Sequence, residues 1–216
     1  FYARRITRLF PAVLATVTAT TLVAAFILTP DQMAGFTASA LASVLSAANF
    51  VFYFESGYWD ISSDFKPLLH LWSLGVEEQF YLLWPAALFL AHKWSGGVYR
   101  LGLLIIFSGS LAACVMTTQS NEAAAFHLRP FRIWQFVLGA MAAEMWREIQ
   151  LTERIATVVR ATGLIVCSTS VVFFSAATLF PGSWALLPSV GAALILVAAN
   201  EKSNSFLLTN TLAIRM

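Results

Sequence analysis

Charged positions along this chain are few and bunched. Between the bunches run uncharged stretches close to the length a helix needs to cross a bilayer, about twenty residues. The first, residues 9–28, follows a basic start with Arg4, Arg5 and Arg8. Pro11 is expected in its first turn, where a missing N–H does no harm, and Thr29-Pro30-Asp31 ends it. Residues 32–54 are also uncharged but rich in Ala and Ser, which predicts either a span or a helix lying at the interface. Residues 55–66 carry Glu55, Tyr58, Trp59, Asp60, Asp64 and Lys66 and read as a loop with aromatic interface anchors. A run from Pro67 to His92 follows, then 101–118, about 131–146, 161–180 and 184–199. Phe180-Pro181-Gly182-Ser183 joins the last two as a turn, and Pro188 predicts a kink in the final span.

Composition agrees with this pattern. The 216 residues are 59% hydrophobic and 11% charged, against roughly a quarter charged in soluble domains, and mean hydropathy is +0.75. The chain is therefore expected to be all-α, a polytopic transmembrane bundle forming one domain over 1–216. A net charge of +2 is too small to imply a nucleic-acid partner. Cys114 and Cys167 lie in apolar runs and read as buried thiols, and no metal-ligand spacing exists. No cleavable signal is evident, and the start at Phe1 and close at Met216 read as those of a piece of a longer protein.

Basic residues orient membrane spans, with Lys and Arg favouring the cytoplasmic side. If 32–54 does not cross, the segments 1–8, 92–100, 147–160 and 200–216 share one side and hold ten of the thirteen Lys and Arg. If it does cross, the acidic 55–66 loop moves inside and Lys93 and Arg100 move outside. The first arrangement predicts six crossings, one interfacial or re-entrant helix, and both ends cytoplasmic. The Pro67–His92 run then enters its helix from the outer face.

That run places a histidine and two glutamates at the head of an apolar segment: His70-Leu71-Trp72-Ser73-Leu74-Gly75-Val76-Glu77-Glu78-Gln79-Phe80-Tyr81. A charge at a span's centre costs about 2.5–3.5 kcal/mol on insertion scales, so such groups usually have a task or a partner. As a helix at 100° per residue, His70, Ser73, Glu77, Tyr81 and Trp84 fall within about 80° of one another. Glu78 reads as interfacial or paired. Arg132, Gln135 and Gly139 lie at i, i+3, i+7. A guanidinium inside a span needs a carboxylate, carbonyls or an anionic ligand, and Glu77 is the plain candidate partner; Gly139 permits close helix approach. Arg5-Ile6-Thr7-Arg8 places two guanidiniums at a cytoplasmic helix start, suited to phosphates or to anionic lipid heads. His92 and His127 stand alone.

Two stretches, Phe1-Tyr2-Ala3-Arg4-Arg5-Ile6-Thr7-Arg8-Leu9-Phe10-Pro11-Ala12 and His70 through Tyr81, closely resemble the acyltransferase-3 family of polytopic membrane proteins that O-acylate carbohydrates. Arg132-Ile133-Trp134-Gln135 is similar to the family's Arg-x-Trp-Glu segment, with Gln135 in place of Glu. The resemblance implies transfer of an acyl group, usually acetyl, from cytoplasmic acyl-coenzyme A to a sugar hydroxyl of an envelope or exported glycan. Lipopolysaccharide, exopolysaccharide, peptidoglycan and small glycosides all remain open as acceptors, and no bound cofactor is implied. Arg5 and Arg8 match the family's Arg-x-x-Arg motif, linked to the acyl donor. Glu77 matches the glutamate of its Ser-x-x-x-Glu motif. The family's proposed catalytic histidine is expected upstream of Phe1. His70 matches a common family position near that site and stands with Glu77 as a catalytic candidate. Ser73, Trp72, Tyr81, Arg132 and Gln135 are the substrate-binding candidates. The implied setting is the bacterial inner membrane. Two other classes fit the same residues: a proton-coupled transporter, which would carry an inverted repeat that is not visible here, and a non-catalytic membrane scaffold.

Overall fold

The structure is a computed structural model that describes residues 2–56, 66–91, 96–175 and 177–199. The expected 57–65 part of the aromatic loop, His92, Lys93 and the 200–216 segment lie outside the described residues. Among the described residues the helices are α1 (Tyr2–Ile27), α2 (Pro30–Val44), α3 (Ala48–Glu55), α4 (Leu71–Ala91), α5 (Gly96–Ser120), α6 (Glu122–His127), α7 (Ile133–Glu148), α8 (Glu153–Phe173) and α9 (Leu186–Val197), with a 3-10 turn at Arg129–Phe131. No strand occurs among the described residues. The chain divides into two compact units, 1–133 and 134–216.

In the first unit α1 is longer than its uncharged core suggests. It starts at Tyr2, so Pro11 sits inside the helix rather than in its first turn. There it removes the hydrogen bond to the Thr7 carbonyl. Thr29 caps α2 in a capping box with Gln32, and Pro30 opens the helix. The 32–54 stretch is not one helix. It breaks at Leu45–Ala47, where Ser46 takes φ 55°. The two pieces, of 15 and 8 residues, rise about 22 and 12 Å, too short to cross about 30 Å of hydrocarbon singly. Ala24 of α1, Phe36 of α2 and Leu68 form a small buried cluster that Val17, Leu28, Met33 and Leu71 extend.

In the second unit α8 and α9 cross at glycines. A Cβ on Gly163 would lie 2.7 Å from the Gly191 carbonyl oxygen, and one on Gly191 would lie 2.7 Å from Cys167 Sγ. Small residues let helix backbones approach this closely. Gly139 does not serve this purpose: among the described residues nothing lies within 4 Å of where its Cβ would be. Helix α8 begins at Glu153, not at 161, so Arg154 and Arg160 belong to its first turns. A long arginine can sit on a helix and reach elsewhere with its head, and Arg160 Nη2 donates to the Ala198 carbonyl at 3.2 Å. Pro188 falls in the first turn of α9 and kinks nothing.

Among the described residues, three helices are long and apolar enough to cross a membrane: Tyr2–Ile27, Gly97–Ser120 and Glu153–Phe173. Helix α4 has 21 residues, but Glu77, Glu78 and Gln79 interrupt its apolar character. Helices α7 and α9, with 16 and 12 residues, rise about 24 and 18 Å. Over the described residues the fold is thus an all-helical membrane-type architecture with three spans evident by length and composition, where six were expected for the chain.

Candidate functional site

Helix α4 is fixed in rotation by a clamp on one side. Gly75 and Gln79, one turn apart, meet the break between α2 and α3. A Cβ at Gly75 would lie 3.0 Å from Asn49 Oδ1 and 3.1 Å from the Ser46 carbonyl oxygen. Gln79 Nε2 donates to Asn49 Oδ1 at 2.8 Å and to the Ser46 carbonyl at 3.1 Å. The fully buried Asn49 donates onward to the His127 carbonyl at 3.2 Å. Glu77 points about 180° from the middle of this clamp, and Glu78 and Tyr81 about 80° and 140°.

Those residues meet α1. Arg5 Nε donates to Glu78 Oε1 at 2.8 Å, and Arg5 Nη2 lies 3.9 Å from Glu77 Oε2. The guanidinium carbon sits 3.3 Å over the centre of the Tyr81 ring. Beside them a cavity of about 280 Å³ is lined by Arg5 and Glu78 together with apolar residues of α1 and the end of α2, among them Leu9, Val13 and Leu45. The side chain of Glu77 is 44% exposed and that of Glu78 26%.

Tyr2 Oη donates to the Leu82 carbonyl at 2.8 Å. The start of α1 is therefore level with Leu82, and α4 continues nine residues to Ala91, about 13 Å further. Residues 82–91 carry no charge. Arg5 and the glutamates thus lie partway along an apolar helix. The sequence placed Arg5 at an inner helix start and Glu77 at an outer mouth. Their 3.9 Å separation puts both at one level.

Other candidates are elsewhere. His70 is exposed in the turn before α4, not on the helix, and accepts at its carbonyl from Ser73 Oγ at 3.2 Å. Six residues of helix separate the start of α4 from Glu77, about 9 Å, so His70 lies away from the Arg5 group, and Ser73, one turn before Glu77, gives its hydroxyl to the His70 carbonyl. Arg8 is exposed and is not among the cavity-lining residues. Arg132 does not pair with Glu77. It precedes α7, is 7% exposed, and its Nε donates to the Phe126 carbonyl at 3.0 Å. Its guanidinium lies 5.2 Å from the Trp72 ring and 4.9 Å from the Phe126 ring. His127, which looked isolated, meets Trp72 edge-on at 5.5 Å. Trp72 is thus held in an aromatic cluster. In the second unit Gln135 Nε2 donates to Ser189 Oγ at 3.2 Å. Among the described residues no three His, Cys, Asp or Glu side chains gather as a metal site needs.

The model of a family described as an acyltransferase domain matches residues 1–214. The chain belongs to the acyltransferase-3 family. An uncharacterized protein of Haemophilus influenzae is 25% identical over 214 residues, 94% of this chain and 87% of that protein. The peptidoglycan O-acetyltransferase OatA of Listeria monocytogenes is 31% identical over 151 residues, 68% of this chain and 24% of its own length. The O-acetyltransferase OatA of Staphylococcus aureus is 27% identical over 159 residues, 72% of this chain and 26% of its own. The chain thus matches about a quarter of the length of these two O-acetyltransferases. No solved structure matches.

For this acyltransferase-3 chain, the sequence singles out Arg5, Glu77 and Tyr81, which the structure brings together, and it reads Glu78 as interfacial or paired, of which the pairing is seen; the Gly75–Gln79 clamp is not among its readings. The signal for the clamp was present: a glycine and a glutamine at i, i+4 in an otherwise apolar helix are a close approach and a polar contact on one face.

Proposed function

We propose that this protein is a membrane O-acyltransferase that moves an acyl group, acetyl first among them, from cytoplasmic acyl-coenzyme A to a sugar hydroxyl of a cell-envelope glycan. The observation that supports this reading is the Arg5–Glu77–Glu78–Tyr81 constellation beside a largely apolar cavity, on a chain that matches its family from residue 1 to 214. The guanidinium suits donor phosphate or carbonyl oxygens. The half-exposed Glu77 suits a group that orients the acceptor hydroxyl or its general base. When the base takes the hydroxyl proton, the sugar oxygen bonds to the thioester carbon, the carbon–sulfur bond breaks, and coenzyme A leaves as the thiol with a proton. Coenzyme A carries charged phosphates that do not cross lipid, so the donor comes from the cytoplasm. We place the chain in the bacterial inner membrane, with six crossings and both ends of this segment cytoplasmic. The likeness to the Listeria peptidoglycan O-acetyltransferase makes peptidoglycan the first acceptor to test.

The test is the base-labile acetate content of the envelope glycans in a strain lacking the full-length protein. Acetate should fall, and should return with the wild-type protein but not with Glu77→Gln at equal membrane abundance. Unchanged acetate in the deletion strain contradicts the proposal.

A further inference from the structure

We propose that Glu78 is a positioning residue: it holds the Arg5 guanidinium by its Nε edge, so that the two Nη groups are kept for the donor and the neighbouring Glu77 is left for the chemistry. This rests on the donor reading above. One guanidinium faces two adjacent carboxylates, and it does not share itself equally. The 2.8 Å contact from Nε to Glu78 is a charge-assisted hydrogen bond. The 3.9 Å from Nη2 to Glu77 is too long for a hydrogen bond. Among the described residues neither Nη group donates a hydrogen bond.

The geometry leaves the arginine little freedom. Its stem rises from α1, Glu78 fixes its Nε, and the Tyr81 ring at 3.3 Å fixes its plane. Stacking on an aromatic face and a carboxylate at one edge hold a planar fork in a way a lysine could not reproduce. Arg5 and Glu78 both line the cavity, whereas Glu77 and Tyr81 do not. A spare interfacial glutamate would turn its carboxylate to solvent. Glu78 instead turns inward to Arg5 and is the less exposed of the two glutamates, at 26% against 44%. The ligand chemistry this presents is an oxygen acceptor, either a phosphate or the thioester carbonyl of an acyl-coenzyme A.

The experiment uses the full-length protein in lipid nanodiscs. It measures coenzyme A binding by calorimetry, and acetyl-transfer kinetics with acetyl-coenzyme A and glycan varied separately. Glu78→Gln should raise the coenzyme A Kd and the acetyl-coenzyme A KM about tenfold, the scale of one hydrogen bond to a charged group. The kcat and the acceptor KM should stay within about twofold. Glu78→Asp should shift the donor KM in the same direction but less. Combining Glu78→Gln with Arg5→Lys should weaken binding no further than Arg5→Lys alone, because the two act as one unit. An unchanged donor KM in Glu78→Gln, a fall confined to kcat, or additive losses overturn the role. If Glu78→Gln does not fold, an unchanged donor KM in Glu78→Asp overturns it. Wild-type protein that binds no coenzyme A overturns the donor reading and this one with it, whereas normal wild-type binding with an unaffected Glu78→Gln overturns this one alone.

Discussion

Gly75 shows how a residue on the opposite face of α4 from Glu77 fixes the helix. Its missing side chain lets the α2–α3 break come within 3.0–3.1 Å of where a Cβ would stand, and Gln79 closes the contact with two hydrogen bonds. Gly75→Ala should push α4 away from Asn49 and Ser46 and destabilise the protein by about 1–3 kcal/mol, the usual cost of overpacking. A thermal melt of the purified full-length protein checks this, and an unchanged melting temperature would show that the clamp has slack. At this scale the sequence was partly legible. Spacing at 100° per residue correctly grouped Glu77 and Tyr81, because angles within one helix follow from the helix alone. It could not say which neighbour that face meets. Arg132, inside the expected 131–146 span, is the plain candidate partner of Glu77 by sequence, whereas the start of α1 brings Arg5 there instead. His70 was lost from the stripe because the helix begins one residue after it.

Among the elements, α8 and α9 form the most closely packed pair whose reason is visible in single atoms. Gly163 and Gly191 face each other, with the Gly191 Cβ position 2.7 Å from Cys167 Sγ. Gly191→Leu should force the helices apart and cost at least about 1–3 kcal/mol, read as a lowered melting temperature and faster proteolysis within 134–216. Retained stability would mean that the pair repacks freely. Element existence was legible from uncharged runs, and element ends were not. A span measured from its last charge began at 161, but arginines reach out from a helix without ending it, so α8 starts at Glu153. The 32–54 run had no charge to mark its interruption. The break at Ser46, with φ 55°, is a backbone event stabilised by α4, a neighbour that sequence periodicity does not see.

For the whole molecule, the family was legible because a dozen consecutive positions around Glu77 carry it, and the structure adds the level at which the site lies. Arg5 meets Glu77 and Glu78 with about 13 Å of uncharged α4 still to run beyond Leu82. The proposed donor therefore has to reach into the membrane domain. With the proposed orientation, a cysteine replacing Asp60 should be labelled by an impermeant reagent from outside the cell. One replacing Gly96 should be labelled only after permeabilisation, and the reverse pattern rejects the orientation. The central claim is acyl transfer through the Arg5–Glu77 site. The most direct measurement is transfer of labelled acetate from acetyl-coenzyme A to isolated cell-wall glycan by purified full-length protein, wild type beside Glu77→Gln. Transfer by the wild type that falls at least about a hundredfold in the variant, with folding intact, is the expected result. A Glu77→Gln protein as active as wild type, or a wild type that transfers no acetate to any glycan, would contradict it.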